Sequence, residues 1–264
     1  MIKKIKNFNL RTIALSGQCF RMYEVEENTF HIYSTDKFLK ATLIAKDTYD
    51  FECNEKEWQF YEKYFDLKNN YDKYKKVCKS NDKYLKECIE YSEGLKILNQ
   101  DKFEMVISFI ISQRKSVRAI STSIERLCKL CGKKKKNYYA FPTAKEILKV
   151  NKTKLATCGL GYRLPYIVDF CRDYISGKYD LEDMENLSSE ELIDKLLTIK
   201  GVGIKVASCI ALFAYHRLDI CPKDVWINRV LNNKYGGQVP KEYEKYAGII
   251  QQYWFNYSKN LKKV

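Results

Sequence analysis

Histidine is almost missing from this chain of 264 residues: only His31 and His216 occur. A mechanism built on a histidine base, or on a site with several imidazole ligands, therefore has little material, and any catalytic constellation must rest on carboxylates, Lys, Tyr or Cys. No apolar run approaches the ~18 residues that a membrane span requires, and the opening MIKKIKNFNL has no apolar stretch after it, so neither a signal peptide nor a membrane anchor is expected. Arginine is scarce too, supplying nine of the 47 basic residues. Ten cysteines are present but scattered, and the one close pair, Cys128 and Cys131, has no second pair to complete four ligands. A disulfide framework or a zinc site is thus not expected. Mostly buried thiols in a reducing, cytoplasmic setting are.

The formal net charge is +14, with a pI near 9.1. That excess fits a polyanionic partner, nucleic acid being the commonest. The richness in Lys, Asn, Tyr and Ile also matches the bias of an AT-rich genome, so charge is a supporting clue only. With 45% hydrophobic residues the chain can bury one large core or two modest ones.

The first ~55 residues alternate apolar and polar positions in short pieces, as in Thr29-Phe30-His31-Ile32-Tyr33, punctuated by Gly17 and Asn28, and predict an antiparallel sheet. From about Glu55 the period changes to three and four. Helices are expected over 56–64, 82–91, 102–112, 117–131, 143–149, 163–176, 189–198, 204–215, 225–232 and 241–257. The expected fold is α+β: a small N-terminal antiparallel β-sheet domain with flanking helices over 1–95, then a mostly helical pair of domains over 96–264.

Residues 191–231 are the informative stretch. A helix ends near Thr198, Gly201-Val202-Gly203 turns tightly, and a second helix starts near Ile204. Glycines permit such a turn and expose amides at the helix N-terminus, a place for one phosphate; an ordinary helix–turn–helix corner would have the same spacing. Lys205 lies on the first turn of the second helix, among Val202, Ile204 and Val206. The positive helix end and the apolar neighbours both favour a neutral, nucleophilic amine. Asp224 follows Pro222 where it can N-cap the helix 225–232. Singly, these would be a surface lysine and a helix cap.

Together the hairpin, Lys205 and Asp224 resemble the helix-hairpin-helix glycosylase superfamily, with Lys200 where proline is common. Within it the chain is similar to the 8-oxoguanine DNA glycosylase family, in blocks from about Leu15 to Phe255. Ser16-Gly17-Gln18-Cys19-Phe20-Arg21 looks like the family's S-G-Q-x-F-R strand, and Leu160-Gly161-Tyr162-Arg163 like its L-G-Y-R turn. Gly201 to Cys209 reads G-V-G-I-K-V-A-S-C, and Tyr246-Ala247-Gly248 with Gln251 and Phe255 repeats Y-A-G-x-x-Q-x-x-x-F. Iron–sulfur relatives carry four cysteines after the hairpin; here none follows Cys221, so no cluster is expected.

The resemblance implies a bifunctional glycosylase and AP lyase that flips 8-oxoguanine out of duplex DNA. Lys205 would attack C1′ and Asp224 would stabilise the cationic sugar. The Gly17 carbonyl would accept the N7 hydrogen, Cys209 and Phe255 would sandwich the base, Gln251 would bond its pairing edge, and Phe213 would help line the pocket. Tyr162, Arg163, Arg114, Gly201 and Gly203 would meet the DNA. No cofactor is implied beyond a structural monovalent cation on hairpin carbonyls, and the protein would act as a monomer at a prokaryotic nucleoid. Two departures stand out. The Asn-rich turn known in the family reads Ser112-Gln113-Arg114-Lys115-Ser116 here, with Ala119 at the expected Arg and Arg118 one residue off, and Trp226 replaces a phosphate-contacting His. Two rival functions stay open: a related glycosylase for alkylated bases or mispaired adenine, and a non-enzymatic DNA-binding module.

Overall fold

The computed structural model describes residues 1–261. Five antiparallel strands form one sheet in the order β1-β5-β4-β3-β2. They are β1 Ile2–Lys4, β2 Met22–Glu26, β3 Thr29–Ser34, β4 Lys37–Ala45 and β5 Thr48–Phe51. The hairpin turns carry Asn28, Thr35 and Asp47 at positive φ; Asn and Asp tolerate the left-handed region, and the β-branched Thr35 is tethered there by its amide, which donates to Glu104 at 2.8 Å. Strict alternation makes one face apolar: Met22, Phe30, Ile32, Leu39, Ala41, Tyr49 and Phe51 pack with Trp58, Tyr61, Tyr64 and Phe65 into a small core. The first 55 residues are not all strand, however. Leu10–Leu15 forms a helix, α1, capped by Asn9, whose Leu10 and Ile13 cover that same face. Its six residues are too few for a helical period to show.

Helices follow as α2 Glu55–Tyr64, α3 Asp72–Lys75, α4 Lys83–Tyr91, α5 Lys102–Ser112, α6 Val117–Cys131, α7 Ala144–Lys149, α8 Lys152–Ala156, α9 Leu164–Ile175, α10 Ser189–Leu197, α11 Ile204–Ala214, α12 Val225–Lys234 and α13 Ala247–Leu261. The ten helices expected from periodicity are all present; the short α3 and α8 were not foreseen. The stretch expected to be helical from 241 begins as a 3-10 segment, Lys241–Tyr246, before α13. Local chemistry sets the boundaries: Asn54 with Glu57, Thr143 with Glu146, and Ser188 with Glu191 form reciprocal capping boxes.

The helices share a second, larger core. It also takes in Tyr71, Tyr74, Leu85, Cys88 and Leu95, because α4 turns its apolar side to α13 rather than to the sheet. The two cores therefore do not divide at the expected 95/96 boundary. All ten cysteines are free thiols, six of them buried. Among the described residues no helix is long and apolar enough to cross a membrane.

Candidate active site

The segment 16–21 is held from both sides. Gln18, fully buried, donates to Ser16 Oγ at 2.9 Å and Lys96 O at 2.8 Å, and accepts from the Leu98 amide at 2.8 Å. Gln100 donates to Gln18 O at 2.8 Å, and Arg21 pairs with Glu125 on α6 at 2.9 Å. The bonds to Lys96, Leu98, Gln100 and Glu125 tie this segment to residues some 80 to 100 positions away, so Gly17 sits on a fixed loop. Its φ is +76°, and an added Cβ would stand 2.9 Å from Phe255 Cε1. Only glycine brings the backbone this close to that ring.

At the hairpin, α10 ends, the chain turns at Gly201 with φ +84°, and α11 begins with Gly203 as its N-cap. A Cβ on Gly201 would enter the Tyr166 ring at 2.3 Å, whereas one on Gly203 would meet nothing within 4 Å. This pair gives a clean comparison. Gly201→Ala is expected to destabilise the protein by roughly 2–4 kcal/mol, from left-handed strain plus overpacking. Gly203→Ala should leave the urea midpoint nearly unchanged; equal losses in a denaturation series would contradict this placement of the turn. The Gly201 carbonyl accepts from Gln113 Nε2 at 3.0 Å, tying the hairpin to the end of α5.

Lys205 and Asp224 come together across a cavity of about 440 Å³, within the usual span for small-molecule sites. Its lining includes Gly17, Lys205, Cys209, Phe213, Asp224, Gln251 and Phe255, every residue expected to touch the base or the sugar. Lys205 Nζ lies 5.9 Å from the centroid of the Phe109 ring. Phe109 stacks on Phe213 at 5.6 Å and meets the edge of Phe20 at 5.4 Å, giving the cavity an aromatic floor. Asp224 is the N-cap of α12, accepting from the Ile227 amide at 2.9 Å. Burial pushes its carboxyl above the usual carboxylate range, while the Ile227 amide and the Lys205 amine pull the other way. Burial likewise raises the Cys209 thiol, with Lys205 opposing. Neither histidine lines this cavity: His216 faces Asp66 at 3.3 Å, and His31 lies among Tyr33 and Phe38 on the outer side of the sheet.

Several further residues line the cavity that the sequence alone does not place there. Among them are Trp226, beneath Arg229 at 5.4 Å, and Lys115 of the turn after α5. Gln252 donates to Gln251 Oε1 at 3.0 Å while its own Oε1, buried, has no partner among the described residues. Lys259 lines the cavity too, on the same face of α13 as Gln251 and Phe255.

The residues expected to meet DNA lie outside the cavity. Tyr162 is exposed at 48%, as a wedge requires. Arg163 is turned inward instead: it is buried, donates to the carbonyls of Gln113 and Leu160, and covers the Tyr162 ring at 4.3 Å. Its donors close the end of α5, which removes it from the surface here. Arg114 is exposed at φ +51°, a left-handed position that favours Asn. Ile204 and Val225, each 64% exposed, stand beside Lys205 and Asp224 as apolar surface without a covering partner among the described residues.

Comparison with known proteins agrees with this layout. Residues 107–254 match the HhH-GPD superfamily of base excision DNA repair proteins, and residues 1–106 match the 8-oxoguanine DNA glycosylase N-terminal domain. The protein MBOgg1, solved with a low-affinity DNA ligand, superposes with a TM-score of 0.91 at 33% identity, covering 99% of this chain and 96% of that one. The Clostridium acetobutylicum 8-oxoguanine glycosylase/lyase, solved with DNA containing cytosine opposite 8-oxoguanine, gives 0.92 at 29% identity over the same shares. A probable N-glycosylase/DNA lyase of Methanothermobacter thermautotrophicus is 29% identical over 205 residues, 65% of each chain. The match thus spans just under two thirds of that curated relative's length. The chain belongs to the 8-oxoguanine DNA glycosylase family within the HhH-GPD superfamily of base excision DNA repair proteins.

Proposed function

We propose that the protein excises 8-oxoguanine from double-stranded DNA and then nicks the strand as an AP lyase. The observation that carries this is the convergence of Gly17, Lys205, Cys209, Asp224, Gln251 and Phe255 on one cavity. A stacked base cannot reach such a cavity, so the nucleotide is flipped into it, with Cys209 and Phe255 on the two ring faces. The Gly17 carbonyl accepts the N7 hydrogen that 8-oxoguanine has; guanine offers a lone pair there and leaves the acceptor unpaired. Gln251 bonds the pairing edge, its amide oriented by Gln252.

Lys205 attacks C1′ as the C1′–N9 bond breaks, and the Asp224 carboxylate stabilises the cationic sugar. The resulting Schiff base permits loss of a C2′ proton and β-elimination. The hairpin amides at Gly203 and the surface Tyr162 engage the backbone and the gap left in the duplex. The turn 199–203 also offers neutral carbonyl oxygens suited to a monovalent cation. Two of these oxygens are engaged, Gly201's by Gln113 and Ile199's by Val202, so such an ion would serve the hairpin's shape and no chemical step. The protein acts as a monomer in this reading, since the cavity is complete within one chain, and works at a prokaryotic nucleoid.

The test is base release from matched duplexes carrying 8-oxoguanine, guanine or 3-methyladenine. Release of 8-oxoguanine alone is expected; preference for the alkylated base would favour the rival glycosylase. Opposite-base choice should be weak. Ala119 donates nothing, Arg114 is long and cationic, and Arg163 is engaged internally. With each good contact worth roughly 1–3 kcal/mol, losing them predicts single-turnover rates opposite C, T, G and A that differ by less than about tenfold. A strong cytosine preference would mean that Arg118 or Arg114 supplies the contact.

A further inference from the structure

Besides Lys205, two further lysines line the cavity and are not used by the mechanism above. Lys115 is engaged by Ser123 Oγ at 2.6 Å and the Gly159 carbonyl at 2.5 Å, which leaves Lys259. Lys259 follows Gln251 and Phe255 at successive four-residue steps on α13, so the three share one helix face. Its Nζ lies 5.2 Å from the centroid of the Phe255 ring and 4.0 Å from where a Cβ on Gly17 would stand. It reaches the Leu15 carbonyl at 3.3 Å, a long bond that leaves two of its three donors uncommitted among the described residues. The amine is therefore at the Gly17 edge of the base site, whereas Lys205 comes from α11 with Asp224 in front of it. Burial holds the Lys259 ammonium below the usual lysine range, and the Asp224 charge opposes that shift.

We infer that Lys259 is a leaving-group residue, donating a hydrogen bond to the C8 oxygen of the flipped base and holding the negative charge that develops there as the base departs. This rests on the 8-oxoguanine reading. N7–H and C8=O are adjacent on the purine, so a base whose N7 hydrogen points at Gly17 presents O8 to the neighbouring ammonium. When the C1′–N9 bond breaks, its electron pair goes to N9 and is shared with O8 across the N9–C8–O8 unit. The Lys205 lone pair forms the new bond to C1′. Lys259 keeps its proton throughout, and the leaving base is later protonated at N9 by the alkylated Lys205 ammonium. Guanine has no O8, so the contact exists only for the lesion and strengthens only as the bond breaks.

The discriminating experiment separates base loss from β-elimination in Lys259→Met and Lys259→Arg. A hydrogen bond to a developing charge predicts an about 10- to 100-fold slower single-turnover release of 8-oxoguanine for Lys259→Met. On a duplex with a preformed abasic site no base leaves, and the same variant should nick within about threefold of the parent protein. Lys259→Arg, which keeps a cationic donor, should recover much of the excision rate. Equal slowing on both substrates would make Lys259 a DNA or folding contact and overturn the inference. So would an unaltered excision rate, or failure of Arg to recover more than Met. If the parent protein nicks abasic DNA but leaves 8-oxoguanine untouched, the substrate reading itself has failed, and the inference falls with it.

Discussion

Lys205→Gln is expected to abolish borohydride trapping on an 8-oxoguanine duplex while leaving DNA affinity within about threefold of the parent. Borohydride fixes a protein–DNA complex only by reducing a Schiff base between them, and an amide nitrogen cannot form one. The expected fall in excision is large, on the order of a thousandfold or more, because covalent catalysis is lost outright. Affinity should survive because the side chain sits inside the cavity, away from the hairpin amides and surface lysines proposed to meet the DNA backbone. A retained covalent complex would take Lys205 out of the mechanism and make it a phosphate contact. A collapse of binding would say the same in another way. Gel-shift affinity and trapping, measured on one preparation, separate the outcomes.

Asp224→Asn should be nearly as costly to chemistry and almost free in stability. The structure gives Asp224 two tasks, since the same carboxyl that faces the cavity caps α12 through the Ile227 amide. Asn caps a helix about as well as Asp, and Ala loses about 1 kcal/mol. Asn therefore keeps the cap and removes only the charge, which matters most when the sugar becomes cationic. Excision should fall by roughly a hundredfold or more, comparable to other losses of preorganised electrostatic stabilisation, with an unchanged melting temperature. Asp224→Ala should lose both. The parent's acid limb is informative too. The carboxyl must be ionised to act, and burial raises its pKa. The excision rate should thus rise with pH through a midpoint above that of an ordinary carboxylate, and this limb should vanish in Asp224→Asn. A variant that loses stability but not rate would leave Asp224 a cap and nothing more.

Much of this site was legible in the chain because its residues obey local rules. Gly201 and Gly203 announce a turn, Pro222 and Asp224 a helix start, and the 3.6-residue period of α11 brings Cys209 one turn beyond Lys205. The strand alternation from Thr29 to Tyr33 identifies the buried face of the sheet directly. What was not legible depends on contacts between distant segments. The role of Gln18 as a clamp needs Lys96, Leu98 and Gln100, some 80 residues away. The inward turn of Arg163 depends on the carbonyl of Gln113, which no spacing reveals. The α4 segment shows an apolar face in sequence, but nothing local says that the face meets α13 instead of the sheet. Lys259 was hidden for another reason: among 38 lysines, one more near the C-terminus carries no signal until a cavity surrounds it.

The central claim is that a single amine, Lys205, takes the sugar of a flipped 8-oxoguanine nucleotide. Its most direct test is to trap the parent protein with borohydride on an 8-oxoguanine duplex, digest the complex, and locate the DNA adduct by peptide mass spectrometry. The account predicts one modified peptide, with the adduct on Lys205. An adduct on Lys259 or another lysine, or base release with no covalent complex at all, would contradict it.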